Sequence, residues 1–292
     1  FVARTASKNS CLWVHSEYMQ MFDNNKSKYV EFFEGVKAKD FKNIVFVSEN
    51  ARDIFVENLK NDKDFINKTS VIYNFIDAEE ILRKSQEKVT DCCKEKTFTF
   101  LNVGRHTEED KKLTRLIEAA KKLKEDNLYF RILLVGSGNK TQEYKKMVNE
   151  YKLENNIIFL GLQESSYDVY NLVSSSAIAV LPGLTSVNST VRESLFLKRP
   201  VVTYKLSSDY ELFSENGKYV RYADLGDRDR LGKEMLYCYE NPMEMEKQVK
   251  RAYEYAQKNL SSSPRSQHLL SVVKASFSNY YYGTKIPSNL IV

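Results

Sequence analysis

Arg105 and Lys111 have the most legible chemistry in the chain, because both are cations that follow an apolar run ending in Val103-Gly104. A guanidinium offers a planar fork to phosphate oxygens, an ammonium offers a point charge, and a glycine lets a backbone come close. With Lys111 opening the next helix, both cations and the helix N-terminus would converge on one anion. Taken alone, Lys111 reads first as one more solvated surface charge, since Lys112 follows it. Other apolar runs also end at glycine, in Val135-Gly136-Ser137-Gly138, Leu160-Gly161 and Leu181-Pro182-Gly183. The Gly136-x-Gly138 pair lacks the third glycine of a dinucleotide fingerprint, and a tight turn accounts for it. Beyond Gly183 stand Thr185, Ser186, Asn188, Ser189 and Thr190, then Glu193. Asn188 or Ser189 would cap a helix there, leaving free amides aimed at an anion. Glu193, one turn in, could accept from a pair of sugar hydroxyls; an exposed helix glutamate is the commoner case.

Such residues need elements that end together. Short β-branched and aromatic runs predict strands at Leu12-Val14, Ile44-Val47, Ser70-Tyr73, Phe98-Val103, Phe130-Val135, Ile157-Leu160, Ala177-Leu181 and Val201-Tyr204. Helical patterns alternate with them, the clearest from about Lys111 to Lys124, with Leu113, Leu116, Ile117, Ala120 and Leu123 on one face. Others fall at Glu49-Leu59, Ala78-Lys88, Gln142-Tyr151, Ser166-Val173 and Thr190-Leu197, and helices fill most of the chain from Asp227 to Tyr280. This alternation predicts α/β architecture with two Rossmann-like, doubly wound domains whose parallel sheets are covered on both faces. In an open sheet of that kind, ligands bind outside the carboxyl ends of the strands, where every glycine above lies. Polar residues 89–96 mark the boundary. The expected division is a partial first domain over 1–94, a full domain over 95–262, and a C-terminal helix and tail over 263–292 that returns to the first.

The 292 residues are 42% hydrophobic and 28% charged, the balance of a globular chain with a core. A net charge of +5 alongside 39 acidic residues gives no sign of nucleic acid; it suits a phosphate-rich small molecule or an anionic membrane surface. Cys11, Cys92, Cys93 and Cys238 lack metal-site spacing, so reduced thiols and no metal are expected. No apolar run approaches the ~20 residues that span a bilayer.

Taken in order, Phe98-x4-Val103-Gly104-Arg105, Lys111, Leu116-Ile117-Glu118-Ala119, Leu133-Leu134-Val135-Gly136-x-Gly138, Phe159-Leu160-Gly161, Val180-Leu181-Pro182, Glu193-Ser194-Leu195 and Pro200-Val201-Val202 resemble a known pattern. It is the donor domain of family 4 retaining glycosyltransferases of the GT-B type, matched over roughly residues 97–260. Trp13-Val14-His15-Ser16, Val45-x-Val47-Ser48-Glu49 and Val71-Ile72-Tyr73-Asn74-x-Ile76-Asp77 resemble later strands of that family's acceptor domain. Its opening βα units have no counterpart, so the chain is expected to lack the start of that domain. The resemblance implies that Arg105 and Lys111 hold the nucleotide diphosphate, with Gly104 and Gly136 beside them. It implies that Glu193 contacts the donor ribose, that backbone around Gly161, Leu162 and Gln163 meets the base, and that His15 faces the donor sugar. A buried structural histidine is an equal reading of His15. The first glutamate of the family's Glu-x7-Glu motif falls at Thr185, and Ser186 and Asn188 replace the glycines after it, a departure that touches the grip on the sugar.

The expected function is therefore transfer of a sugar, with retention, from a nucleotide-sugar substrate (UDP-sugar foremost) to a glycan or lipid-linked acceptor, with no further cofactor. The setting expected is bacterial surface-polysaccharide synthesis, in the cytoplasm or at the inner membrane face. The alternative is a nucleotide-sugar-binding module that transfers nothing. A non-hydrolysing epimerase ranks third, since only His15, His106 and His268 could supply its histidines. A nicotinamide dehydrogenase ranks below it.

Overall fold

A computed structural model describes residues 10–261 apart from 16–17, 20–21, 23, 60–65, 75, 87–96, 164–165, 184–188, 206–210, 212, 214, 225–226 and 228. The described chain forms two units, one ending at Asn74 and one running from Phe75 to Ser262. The division falls ahead of the polar 89–96 tract that the sequence suggests as a boundary. Helix α3 (Ala78–Ser85) explains the difference, because it packs on α7 (Ser166–Ser175) and α8 (Ser189–Phe196) within the second unit. The C-terminal helix and tail expected over 263–292 lie outside the described residues.

In the first unit, β1 (Cys11–Val14), β2 (Asn43–Phe46) and β3 (Thr69–Val71) form a parallel sheet in that order, with α1 (Lys26–Gly35) and α2 (Glu49–Asn58) between them. Helix α1 was not expected from the sequence: only Tyr29 and Phe33, four residues apart, are buried on it, too sparse a stripe in a charged segment. Asn25 caps it by accepting from the Lys28 amide at 3.1 Å. Phe33, Phe46 and Phe55 meet edge-on or tilted at ring separations of 4.9 and 5.0 Å in the core.

The second unit carries β4 (Phe98–Val103), α4 (Glu108–Lys111), α5 (Leu113–Glu125), β5 (Phe130–Val135), α6 (Thr141–Glu150), β6 (Ile157–Gly161), α7, β7 (Ile178–Leu181), α8, β8 (Val201–Tyr204), β9 (Arg221–Ala223), α9 (Arg230–Glu240) and α10 (Pro242–Asn259). Its six strands are all parallel in the order β6-β5-β4-β7-β8-β9. Leu113, Leu116, Ile117, Ala120 and Leu123 of α5 lie in the core as their spacing predicts, each Leu or Ile contributing about 1.5–3 kcal/mol through burial. The three-residue edge strand β9 was not expected, being too short to show alternation. It is held to α9 by Arg221, which pairs with the buried Glu234 at 2.6 Å.

The chain winds outward from β4 to β6, then returns and winds the other way from β7 to β9. The reversal lies between β4 and β7, the position where a doubly wound sheet opens a crevice. Their ladder pairs Phe100 with Ile178 and Leu101 with Ala179, and a side chain extends it. Asn102 Nδ2 donates to the Val180 carbonyl at 2.8 Å, while Thr203 Oγ1 donates to the Leu181 carbonyl at 2.9 Å. The carboxyl end of β7 is thus tied to both neighbours.

Candidate functional site

The loop after β4 is built by close approach to the loop after β5. Gly104 N donates to the Val135 carbonyl at 3.0 Å, and His106 N donates to the Ser137 carbonyl at 3.0 Å. Gly136 has φ +131, and a Cβ there would stand 1.9 Å from the Gly104 carbonyl oxygen. A Cβ on Gly138 would stand 2.5 Å from the His106 carbonyl oxygen. The Gly-x-Gly pair is therefore more than a tight turn: each glycine admits the backbone of the facing loop. At Gly104 itself an added Cβ would meet only Lys111 methylenes, at 3.7–4.0 Å. Between the two loops, the constraint on close approach falls on Gly136 rather than on Gly104.

Lys111 does not open the long helix. It ends the single turn Glu108–Lys111, and Lys112, at φ 49, separates that turn from Leu113–Glu125. The periodic pattern continues through this left-handed residue, which is why the break is invisible in sequence. Its consequence is that the Lys111 stem lies along Gly104 rather than on the face of α5. Glu108 fixes the turn, accepting from the Tyr144 hydroxyl at 2.9 Å and from the Thr114 hydroxyl. The exposed Arg105 and the half-buried Lys111 thus rise from one braced loop at the carboxyl end of the central strand. Two cations over a glycine-lined turn can receive an anion with several oxygens.

Neighbouring loops complete the edge. Gly161, at φ +72, accepts from the Gly136 amide at 2.8 Å, and Gln163 Nε2 donates to the Leu160 carbonyl at 3.0 Å. Leu162 between them is 71% exposed, an apolar face offered to solvent. Across the reversal, Ser189 opens α8, Thr190 is buried behind it, and Glu193 takes a hydrogen bond from Ser189. Burial pushes the Glu193 carboxyl up to about 7, against that bond. Tyr170 on α7, unremarked in the sequence, stands close enough that Glu193 and Glu80 add to the burial raising its hydroxyl to about 12. Thr185 and Asn188 lie outside the described residues. His15 follows β1 in the first unit, exposed, with its ring beside Trp13 at 6.1 Å, so it is not the buried structural histidine that was the equal reading.

The structure thus joins Gly104, Lys111, Gly136 and Gly161 in one run of contacts. Ser189, Thr190 and Glu193 stand on the helix after the strand that adjoins β4. Glu108 and His106, neither of which the sequence places in a nucleotide site, hold the loop from beneath; their signal is a polar residue that becomes buried only once two loops meet.

The family model described as glycosyl transferases group 1 matches residues 84–259. An uncharacterized glycosyltransferase of Methanocaldococcus jannaschii is 22% identical over 195 residues, covering 66% of this chain and 47% of the relative. The chain therefore spans about half the length of the curated relative it matches. Among solved structures, Anabaena HepE in complex with UDP-glucose is similar with TM-score 0.74 at 17% identity, over 90% of this chain and 72% of that one. S. aureus TarM is similar with TM-score 0.71 at 17% identity, over 90% and 50%. The pneumococcal O-GlcNAc transferase GtfA in complex with UDP and GlcNAc gives TM-score 0.70 at 13% identity, over 91% and 52%. At such identities the likeness establishes the fold, which is of the GT-B type.

Proposed function

Because the chain belongs to the group 1 glycosyltransferases, we propose that it moves a sugar from a UDP-sugar to a glycan or lipid-linked acceptor with retention of configuration. The observation that carries this reading is the braced loop on which Lys111 lies along Gly104, with Gly136 pressed onto the Gly104 carbonyl. Arg105 and Lys111 there hold the diphosphate and neutralise charge as its bond to the sugar breaks. The acceptor hydroxyl attacks from the face the diphosphate leaves, and its proton passes to the departing diphosphate oxygen. Glu193 accepts from the ribose hydroxyls, and backbone from Gly161 to Gln163 meets the base. Uridine is favoured among bases because HepE and GtfA carry UDP or UDP-glucose. A surface polysaccharide is the product class. A lipid-linked acceptor would bring the enzyme to an anionic membrane face, which co-sedimentation of the intact protein with anionic vesicles tests. No helix among the described residues is long and apolar enough to cross a membrane.

Calorimetric titration with UDP, GDP and ADP tests the donor site, with Lys111→Ala as the control. Micromolar binding of UDP that is lost in the variant supports the reading; no binding of any of the three overturns it. A second reading, binding without transfer, is favoured by Thr185 standing where the motif's first glutamate grips the sugar. Release of UDP from UDP-sugars by the protein separates the two: tight binding with no turnover on any acceptor selects the module.

A further inference from the structure

We infer that His106 is a positioning residue: as the neutral Nδ1–H tautomer it donates to the Thr141 hydroxyl and latches the Arg105–Lys111 loop to the start of α6. The inference rests on reading that loop as the diphosphate cradle, and it assigns the group that sets the cradle's shape.

His106 is fully buried, beside Arg105 and beneath the cradle. Its backbone is clamped on both sides, N to the Ser137 carbonyl at 3.0 Å and carbonyl to Lys140 N at 3.0 Å. Its Nδ1 lies 2.9 Å from Thr141 Oγ1. That hydroxyl also accepts from Gly138 N at 3.0 Å and stands 2.9 Å from the Gly138 carbonyl oxygen. A hydroxyl has one proton to give. If Thr141 donates to Gly138, His106 Nδ1 must carry hydrogen and donate to Thr141, and all three contacts are satisfied. If Thr141 donates to His106 instead, the hydrogen moves to Nε2, which has no polar partner among the described residues. The ring faces Tyr144 and Phe159, each at 6.0 Å and steeply inclined, so an Nε2–H would be a buried donor without an acceptor. Such donors are rarer in proteins than under-satisfied acceptors. Burial, reinforced by the Lys145 charge, disfavours the imidazolium as well. One protonation state fits, and it is a fixed donor linking the two loops that Gly136 and Gly138 allow to touch.

The test uses the full chain. Long-range proton–nitrogen NMR on the three histidines should show one locked in the Nδ1–H form, and its signal should vanish in His106→Asn. An Nε2–H tautomer or an imidazolium for His106 at neutral pH overturns the inference without touching the functional reading. In calorimetry, His106→Leu should weaken UDP binding about tenfold, the size of a lost buried hydrogen bond. His106→Asn, whose amide can reach Thr141, should recover most of it. Thr141→Val and Thr141→Ser repeat the test from the other end of the bond should His106→Leu fail to fold. Wild-type binding of UDP with equal affinity in a folded leucine or valine variant overturns the latch. Failure of the wild type to bind any nucleotide overturns the donor-site reading itself, and the latch with it.

Discussion

A carboxyl group that titrates near neutrality gives the site a pH dependence with a definite sign. Glu193 has an ordinary value of 4.5 and stands at about 7 in the folded protein. The folded state therefore holds a proton between those limits that the unfolded state has lost. Stability falls as pH rises through that window. Glu193→Gln should abolish this loss, so that its melting temperature overtakes the wild type's between pH 5 and 8; parallel curves would refute the burial of that carboxyl. If Glu193 takes ribose hydroxyls as proposed, its ionised form is the better acceptor, so the affinity for uridine, which has no titrating phosphate, should rise with pH through about 7 and lose that rise in the glutamine variant. Lys111→Ala or Arg105→Ala should cut turnover by about 100-fold or more with the fold intact, as loss of a preorganised charge partner does. Wild-type rates in both would sink their assignment.

At the scale of elements, the decisive event is two loops meeting back to back. Gly136→Ala places a side chain at φ +131 against a carbonyl 1.9 Å away. It should cost well over ~1 kcal/mol, because neither the backbone conformation nor the neighbour can yield cheaply. Gly104→Ala meets only methylenes at ordinary contact distance and should leave the melting temperature within a few degrees. Equal losses in the two variants would mean that the loops do not pack as described. This contrast could not be read from the sequence, where both glycines simply follow an apolar run. Nor could the break at Lys112, since lysine carries no signal for the left-handed backbone it adopts.

For the whole molecule, each described unit has its own parallel sheet and core, and Gly104, Arg105, Lys111 and Gly136 of the candidate nucleotide cradle stand in the second. A ligand stabilises what it binds, by about 2.7 kcal/mol at one hundred times Kd. Hydrogen exchange with saturating UDP should therefore slow in β4, β5 and the loops at their carboxyl ends, leaving β2 at its own rate. Equal slowing in both sheets would show that they open as one cooperative body.

The period of apolar residues decided the strands and helices of this chain other than α1, β9 and the break at Lys112, and with them the carboxyl-edge position of Gly104, Arg105 and Gly136, because burial on a parallel sheet demands near-continuous apolar runs. Phe98–Val103, Phe130–Val135 and Val201–Tyr204 stand where that pattern puts them. Only the tertiary structure decided which residues shape the site. His106 is a polar residue like any other until Ser137, Thr141 and Phe159 close over it. Glu193 is a helix glutamate until α8 is packed and its carboxyl loses water. The first property arises from contacts such as His106 with Thr141 at a separation of 35, the second from the packing of α8 on α3 and α10, and a local pattern encodes neither.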